Sequence, residues 1–206
     1  NRAFAHFLGQ LVDSEIHGDD QQKAHAAGLL ALLTPIAKGF MTETGIESAS
    51  LGIQVYGGHG YVREWGMGQN MRDSRISTLY EGTTGIQALD LLGRKVLPDG
   101  GEKFGQFLKM IAASLPEMDP QFAAPLGAKL QEWEQLTRSI GAKSMSDVNE
   151  MAAAATDYLM YSGYVVVAWF WGRMGTLAKA KAAHSDELFY RAKVATAQFY
   201  FQRLLP

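Results

Sequence analysis

Apolar side chains in this sequence return every three or four positions almost from end to end, and stretches that alternate apolar with polar are nearly missing. That period confines the chain to helices that each bury one face. Phe4, Phe7, Leu8, Leu11 and Val12 make the first such set, and Gly18 is placed to stop it. Asp19 and Asp20 can cap a long second helix carrying Leu29, Leu30, Leu32, Leu33, Ile36, Phe40, Ile46, Leu51 and Val55, with a kink or break expected at Pro35. The paired glycines of YGGHGY end it, because glycine enters left-handed conformations without steric cost. REWGMGQN reads as loop, and Met71, Ile76 and Leu79 as a short helix. EGTTG is a turn, after which Ile86, Leu89, Leu92 and Val96 form one face of another helix.

LPDGG (97–101) is the best candidate boundary in the chain. Beyond it Phe104, Phe107, Leu108, Ile111 and Leu115 keep the helical spacing, and Phe122, Leu126, Leu130, Trp133, Leu136 and Ile140 continue it. Asp119 can cap a helix opened by Pro120, although Pro125 leaves its start open. Ser144 with Asp147 resembles a capping box ahead of a very long helix to about Ala183, and Ser185 is placed to cap the last one, ending near Leu204. YVVVAWF (164–170) would suit a strand in isolation, but alanine-rich helical sequence flanks it. The wider stretch YLMYSGYVVVAWFWG (158–172) is apolar on every face. It is too short to cross a bilayer, which takes about 20 residues, so a buried core helix or subunit interface is expected and membrane contact is disfavoured. The fold class is all-α: two helical bundles, residues 1–98 and 99–206.

Composition closes off several function classes. Apolar residues make up 47% of the 206 and charged residues 19%, enough for a sizeable core and too apolar for disorder. The net charge is −2 with scattered basic residues, which argues against nucleic acid. Without cysteine there is no disulfide, thiol nucleophile or thiolate metal site, and His6, His17, His25, His59 and His184 lack metal-ligand spacing, so no metal is expected. The opening NRAFAHFLGQ is not a secretory signal. A reducing compartment fits: the cytoplasm in a bacterium, the mitochondrial matrix in a eukaryote. The start on Asn1, inside an amphipathic pattern, reads as a piece of something longer.

Two turns could carry chemistry. In DSRISTLYEGTTGIQALDLLGRKVL a single carboxylate, Glu81, stands in a Gly/Thr-rich turn beside an aromatic ring. A Glu just before a helix is often explained by the helix dipole and the free N–H groups there. The alternative is a general base, which needs an apolar pocket that raises its pKa towards neutrality so that it can take a weakly acidic C–H proton. Gly82 would let a flat ligand lie against the backbone, and Thr83 and Thr84 offer hydroxyls and N–H groups at a helix start. In QVYGGHGY the glycines expose N–H groups that can hold an anion; an ordinary helix cap and turn is the competing explanation. It is not a dinucleotide fingerprint, since no strand precedes it.

Together the two turns resemble a known family. LGIQVYGGHGYVREWGMGQNMRDSRISTLYEGTTGIQALDLLGRKVL is similar to the C-terminal helical domain of acyl-CoA dehydrogenases, and the likeness extends back through LTPIAKGF. Residues 101–206 resemble, by position and helical character, the additional C-terminal helical domain of the longer family members. The resemblance implies FAD as cofactor, an acyl-CoA substrate and Glu81 as the base for the α-proton, with its own N–H on the thioester oxygen. Gly82 would make room for the thioester, and Thr83, Thr84 and Gly85 would lie at the FAD. Gln54, Gly57 and Gly58 would bind the adenine-diphosphate end of FAD from a neighbouring subunit. That implies a homo-oligomer, a dimer or a dimer of dimers, and electron-transfer flavoprotein as acceptor. Many relatives carry Gln or Asn in place of Gly85, and the CoA arginine of some has no counterpart, Arg94 being one residue out of step. The family's N-terminal helical and middle β domains are not in these residues. An acyl-CoA oxidase, which shares the base, and a non-catalytic helical association module remain as alternatives.

Overall fold

A computed structural model describes residues 1–184 and 188–206, and among them all regular structure is helical. The first half holds α1 (Arg2–His17), α2 (Asp20–Tyr56), the single turn α3 (Gly58–Tyr61), α4 (Met67–Ile76) and α5 (Thr84–Asp90), which runs on as π-helix over Leu91–Val96. The second half holds α6 (Glu102–Ala113), α7 (Pro120–Ser144), α8 (Val148–Ala182) and α9 (Leu188–Phe199). The expected Ser185 cap lies outside the described residues.

Several helix starts obey local rules. Asp19 forms a full capping box with Gln22, and Asp119 caps α7, which Pro120 opens. Other expectations are corrected. α2 runs unbroken through Pro35, where the buried side chains of Leu32, Leu33, Pro35 and Ile36 outweigh one missing N–H donor. The Ser144–Asp147 capping box does not form: Ser144 ends α7 with its hydroxyl on the Ile140 carbonyl, and Asp147 alone caps α8. Most of REWGMGQN is helical rather than loop, because Gly66 at φ 71° reverses the chain and α4 starts at Met67. Residues 164–170 are helical within α8.

One apolar core joins both halves, and α8 is its axis. The stretch expected to be buried contributes Tyr158, Leu159, Val165, Val166, Val167, Ala168, Trp169 and Phe170. Its polar tips find partners: Tyr158 with Thr137, Tyr161 with the Lys129 carbonyl, and Trp169 with Ser114. Phe4 stacks on Phe170 at 5.8 Å, and Phe7 meets Trp169 edge-on at 5.4 Å, which ties α1 to α8. α2 crosses α8 where glycines allow close approach. The Leu159 methyls fill the place of a Cβ at Gly39, and the Phe40 ring fills that place at Gly163. By length and composition α2 is the one described helix that could cross a membrane, yet half of its most apolar window is buried in this core.

Two predictions follow from this packing. Gly163→Ala drives a methyl into the Phe40 ring. The overpacking cost, about 1–3 kcal/mol, exceeds the helix-propensity gain, about 0.5–1 kcal/mol. Urea unfolding should show a net loss, larger for Gly163→Val. The second concerns Asp119, whose carboxylate accepts a 2.6 Å hydrogen bond from Lys179 and another from the Gln121 amide. The Lys179 bond above all holds its pKa below the ordinary value. A depressed carboxylate stabilises the fold above the unfolded-state pKa of about 3.9, and that contribution is lost as pH falls through the folded-state value. Asp119→Asn should therefore flatten the acid side of the stability profile below about pH 4, as read by thermal unfolding across a pH series.

Candidate functional site

The turn containing Glu81 is built by α2. After α4 the chain is held by Lys38, whose ammonium donates to the Ser77 carbonyl at 2.7 Å and lies over the Tyr80 ring at 5.6 Å. Buried Thr78 accepts from the Arg75 guanidinium at 2.6 Å. At the far side the Thr84 hydroxyl donates to the Glu43 carboxylate. Lys38 and Glu43 thus clamp the entry and the exit of the turn from a single helix.

Between these anchors the backbone is forced. Glu81 sits at φ 55°, the sole non-glycine residue at positive φ among those described, and Gly82 follows at φ 92°. A left-handed Glu costs about 1–2 kcal/mol, and such strain persists only where the surroundings impose it. The Glu81 carbonyl accepts a hydrogen bond from the Gln87 side-chain amide at 3.1 Å. Thr83, not Glu81, is the N-cap of α5, its hydroxyl accepting from the Ile86 amide. Glu81 itself is exposed, and among the described residues neither its carboxylate nor its N–H has a partner. The apolar pocket that a base requires is therefore not built by these residues.

The surroundings are nonetheless apolar and uncovered. Leu79, Tyr80 and Ile86 are about half exposed, where the helical pattern counted Ile86 and Leu89 as a core face; the face of α5 that is buried carries Ala88, with Leu91, Leu92 and Val96 following. Leu51 and Val55 on α2 are likewise exposed. The period of the sequence identified apolar faces correctly, but not which of them this chain covers.

The glycine turn lies elsewhere. α2 ends at Gly57, at φ 59°, whose N–H returns to the Gln54 carbonyl. Gln54, Gly57 and Gly58 are exposed, and nothing stands within 4 Å of a Cβ placed on either glycine. Of the glycine N–H groups expected to be free for an anion, Gly57 donates to Gln54 and Gly60 donates to the Gly57 carbonyl, so the turn is open to a ligand with only the Gly58 N–H among the three left unpartnered by the described residues. Gly60 has a packing role, since a Cβ there would strike the Ile53 carbonyl of α2. His59 packs edge-on to Trp65 at 5.1 Å. From Glu43, beside the Glu81 turn, to Gln54 is eleven residues of α2, about 16 Å at the helical rise. The two turns are thus set apart along one helix. Gly85 is exposed with free space around it, and Thr83 keeps a hydroxyl hydrogen to donate, so both fit a flavin-side contact; the Thr84 hydroxyl hydrogen is taken by Glu43. Arg94 is paired with Asp90. Among the described residues no cluster of His, Asp and Glu could hold a metal.

Lys38, Glu43 and Gln87 were not apparent in the sequence as parts of this site. A signal existed for the first: Lys38 is the one Lys or Arg between Lys23 and Arg63, on a helix otherwise devoted to the core. A groove of about 910 Å³ between α1, α2, α8 and α9, floored by Phe4, Phe40, Tyr164 and Trp171, includes no residue of either turn.

The strain at Glu81 is directly measurable. Glu81→Gly should raise stability by about 1 kcal/mol in urea unfolding of this chain. A helix-dipole role for Glu81 predicts a loss of up to about 1 kcal/mol instead.

Comparison with known proteins agrees with this architecture. The family model described as "Acyl-CoA dehydrogenase, C-terminal domain" matches residues 15–97, and "Acetyl-CoA dehydrogenase C-terminal like" matches residues 104–206. The 3-methylmercaptopropionyl-CoA dehydrogenase of Ruegeria pomeroyi is 39% identical, over 99% of this chain and 36% of its own length. A broad-specificity linear acyl-CoA dehydrogenase of Mycobacterium tuberculosis is 30% identical, over 98% of this chain and 35% of its own. The caffeyl-CoA reductase–Etf complex subunit of Acetobacterium woodii is 34% identical over 28% of this chain and 15% of its own. The chain thus spans about a third of the length of the first two relatives. With both halves matched in order by the family's C-terminal descriptions, this chain belongs to the acyl-CoA dehydrogenase family.

Proposed function

We propose that this chain is the C-terminal part of an FAD-dependent acyl-CoA dehydrogenase and that Glu81 is its catalytic base. The observation that carries the reading is the Glu81 backbone, held left-handed with an unpartnered carboxylate and a free N–H. A residue selected only for stability would not be kept in that conformation without a partner.

In the proposed reaction the Glu81 carboxylate takes the α-proton of an acyl-CoA thioester. The free Glu81 N–H donates to the thioester oxygen and stabilises the enolate-like charge that builds there. Gly82, without a side chain, lets the thioester approach the backbone. FAD, when bound, supplies the acceptor for the hydride leaving the β-carbon. Thr83 and Gly85 would lie at its flavin side together with the Thr84 backbone, and Gln54, Gly57 and Gly58 at the diphosphate of an FAD held by a second subunit. The separation of the two turns along α2 supports that division and, with the uncovered apolar surface around them, a homo-oligomer. The naming of one relative as a subunit of an Etf complex supports electron-transfer flavoprotein as the acceptor. The two family descriptions meet across LPDGG, which supports a division of the chain near residue 98.

In the full-length flavoenzyme containing this segment, Glu81→Gln should leave acyl-CoA binding intact and slow flavin bleaching about 10²- to 10⁴-fold in stopped-flow mixing. Near-normal bleaching would place the base elsewhere. Turnover with oxygen in place of electron-transfer flavoprotein would reassign the enzyme as an oxidase.

A further inference from the structure

The strained pair Glu81–Gly82 is held from α5 by one side chain. Gln87 is fixed in the first turn of that helix, its own N–H bonded to the Thr83 carbonyl at 2.9 Å. From there its amide turns back to the Glu81 carbonyl at 3.1 Å. The partner is a carbonyl oxygen, which only accepts, so the NH2 end of the amide must face it. Gly82 makes the approach possible: a Cβ at that position would lie 2.6 Å from Gln87 Nε2. The helix that carries Gln87 is in turn tied to α2 through Thr84 and Glu43. A connected path therefore runs from the core helix to the backbone of Glu81.

We propose that Gln87 is a positioning residue for Glu81, its side-chain amide fixing the left-handed backbone that sets the direction of the carboxylate. The proposal rests on the reading of Glu81 as the base. A neutral hydrogen bond is of the same order as the strain it opposes. Its loss lets the turn relax to ordinary backbone angles and swings the carboxylate away from the substrate. Misplacement by about 1 Å is enough to cost about a hundredfold in rate.

The test uses the full-length flavoenzyme with Gln87→Leu, which removes the donor, and Gln87→Glu, which keeps the shape but presents acceptors to a carbonyl. Flavin bleaching is followed with acyl-CoA and with its α-dideuterated form, alongside flavin content and substrate affinity. Both variants should bleach about 10- to 100-fold more slowly with flavin content and affinity retained. The α-deuterium isotope effect should grow as proton transfer becomes more fully limiting. Adding Gln87→Leu to Glu81→Gln should slow that variant no further, because the amide acts through the carboxylate. Wild-type rates in both Gln87 variants, with Glu81→Gln slow, would overturn the positioning role and leave the base intact. A fast Glu81→Gln would remove the base and the proposal together. Loss of flavin from both variants, or a rate loss with unchanged isotope effect and weakened affinity, would make Gln87 a fold or binding residue and overturn the proposal.

Discussion

The close crossing of α2 and α8 is the contact on which the rest of the molecule depends. Gly39 admits the Leu159 side chain and Gly163 admits the Phe40 ring, so each helix supplies both a knob and a hollow. Phe40 also meets Tyr164 edge-on at 5.0 Å, which fixes register along the pair. A crossing of this kind admits no sliding, because a shift of one residue would put side chains where only glycine fits. It fixes α2 against the longest helix of the second half, and α2 carries the residues that shape the candidate site.

That arrangement accounts for how a strained turn survives at the surface. Lys38 adjoins Gly39 in sequence, and Glu43 lies just over one helical turn beyond it. Their rotational positions are therefore set by the buried crossing, not by the loop they hold. Lys38 grips the chain at Ser77 and Glu43 grips it at Thr84. The backbone between these points has a defined span, and Gln87 selects the left-handed branch for Glu81. The energy that keeps Glu81 in an unfavourable conformation thus comes from apolar burial some distance away, transmitted by a few polar contacts.

The same logic explains why so much apolar surface stays open beside the two turns. Val55, Tyr61, Leu79, Tyr80 and Ile86 follow helical spacing or flank the turns, yet no described element covers them. The two relatives matched along nearly the whole of this chain are each about three times its length. A base in an apolar pocket needs walls, and among the described residues none closes over Glu81, which stays exposed.

What the sequence determined alone was the fold class and most of the local punctuation. Helical spacing, Asp19, Asp119 and Gly57 act within a few residues of themselves, so the helices and several of their ends could be read directly. The residue types at Glu81, Gly82 and Gly57 were equally legible, because short motifs carry their own chemistry. The tertiary structure decided what depends on distant neighbours. Pro35 does not break α2 because buried neighbours on both sides hold the helix together. Ile86 and Leu89 face outward because Ala88, Leu91 and Leu92 are the residues that meet the core. Lys38, Glu43 and Gln87 became parts of the site only when packing brought them to the turn. Helix periodicity records that a side chain prefers burial, whereas which surface buries it, and which carbonyl an amide reaches, depends on contacts made far along the chain.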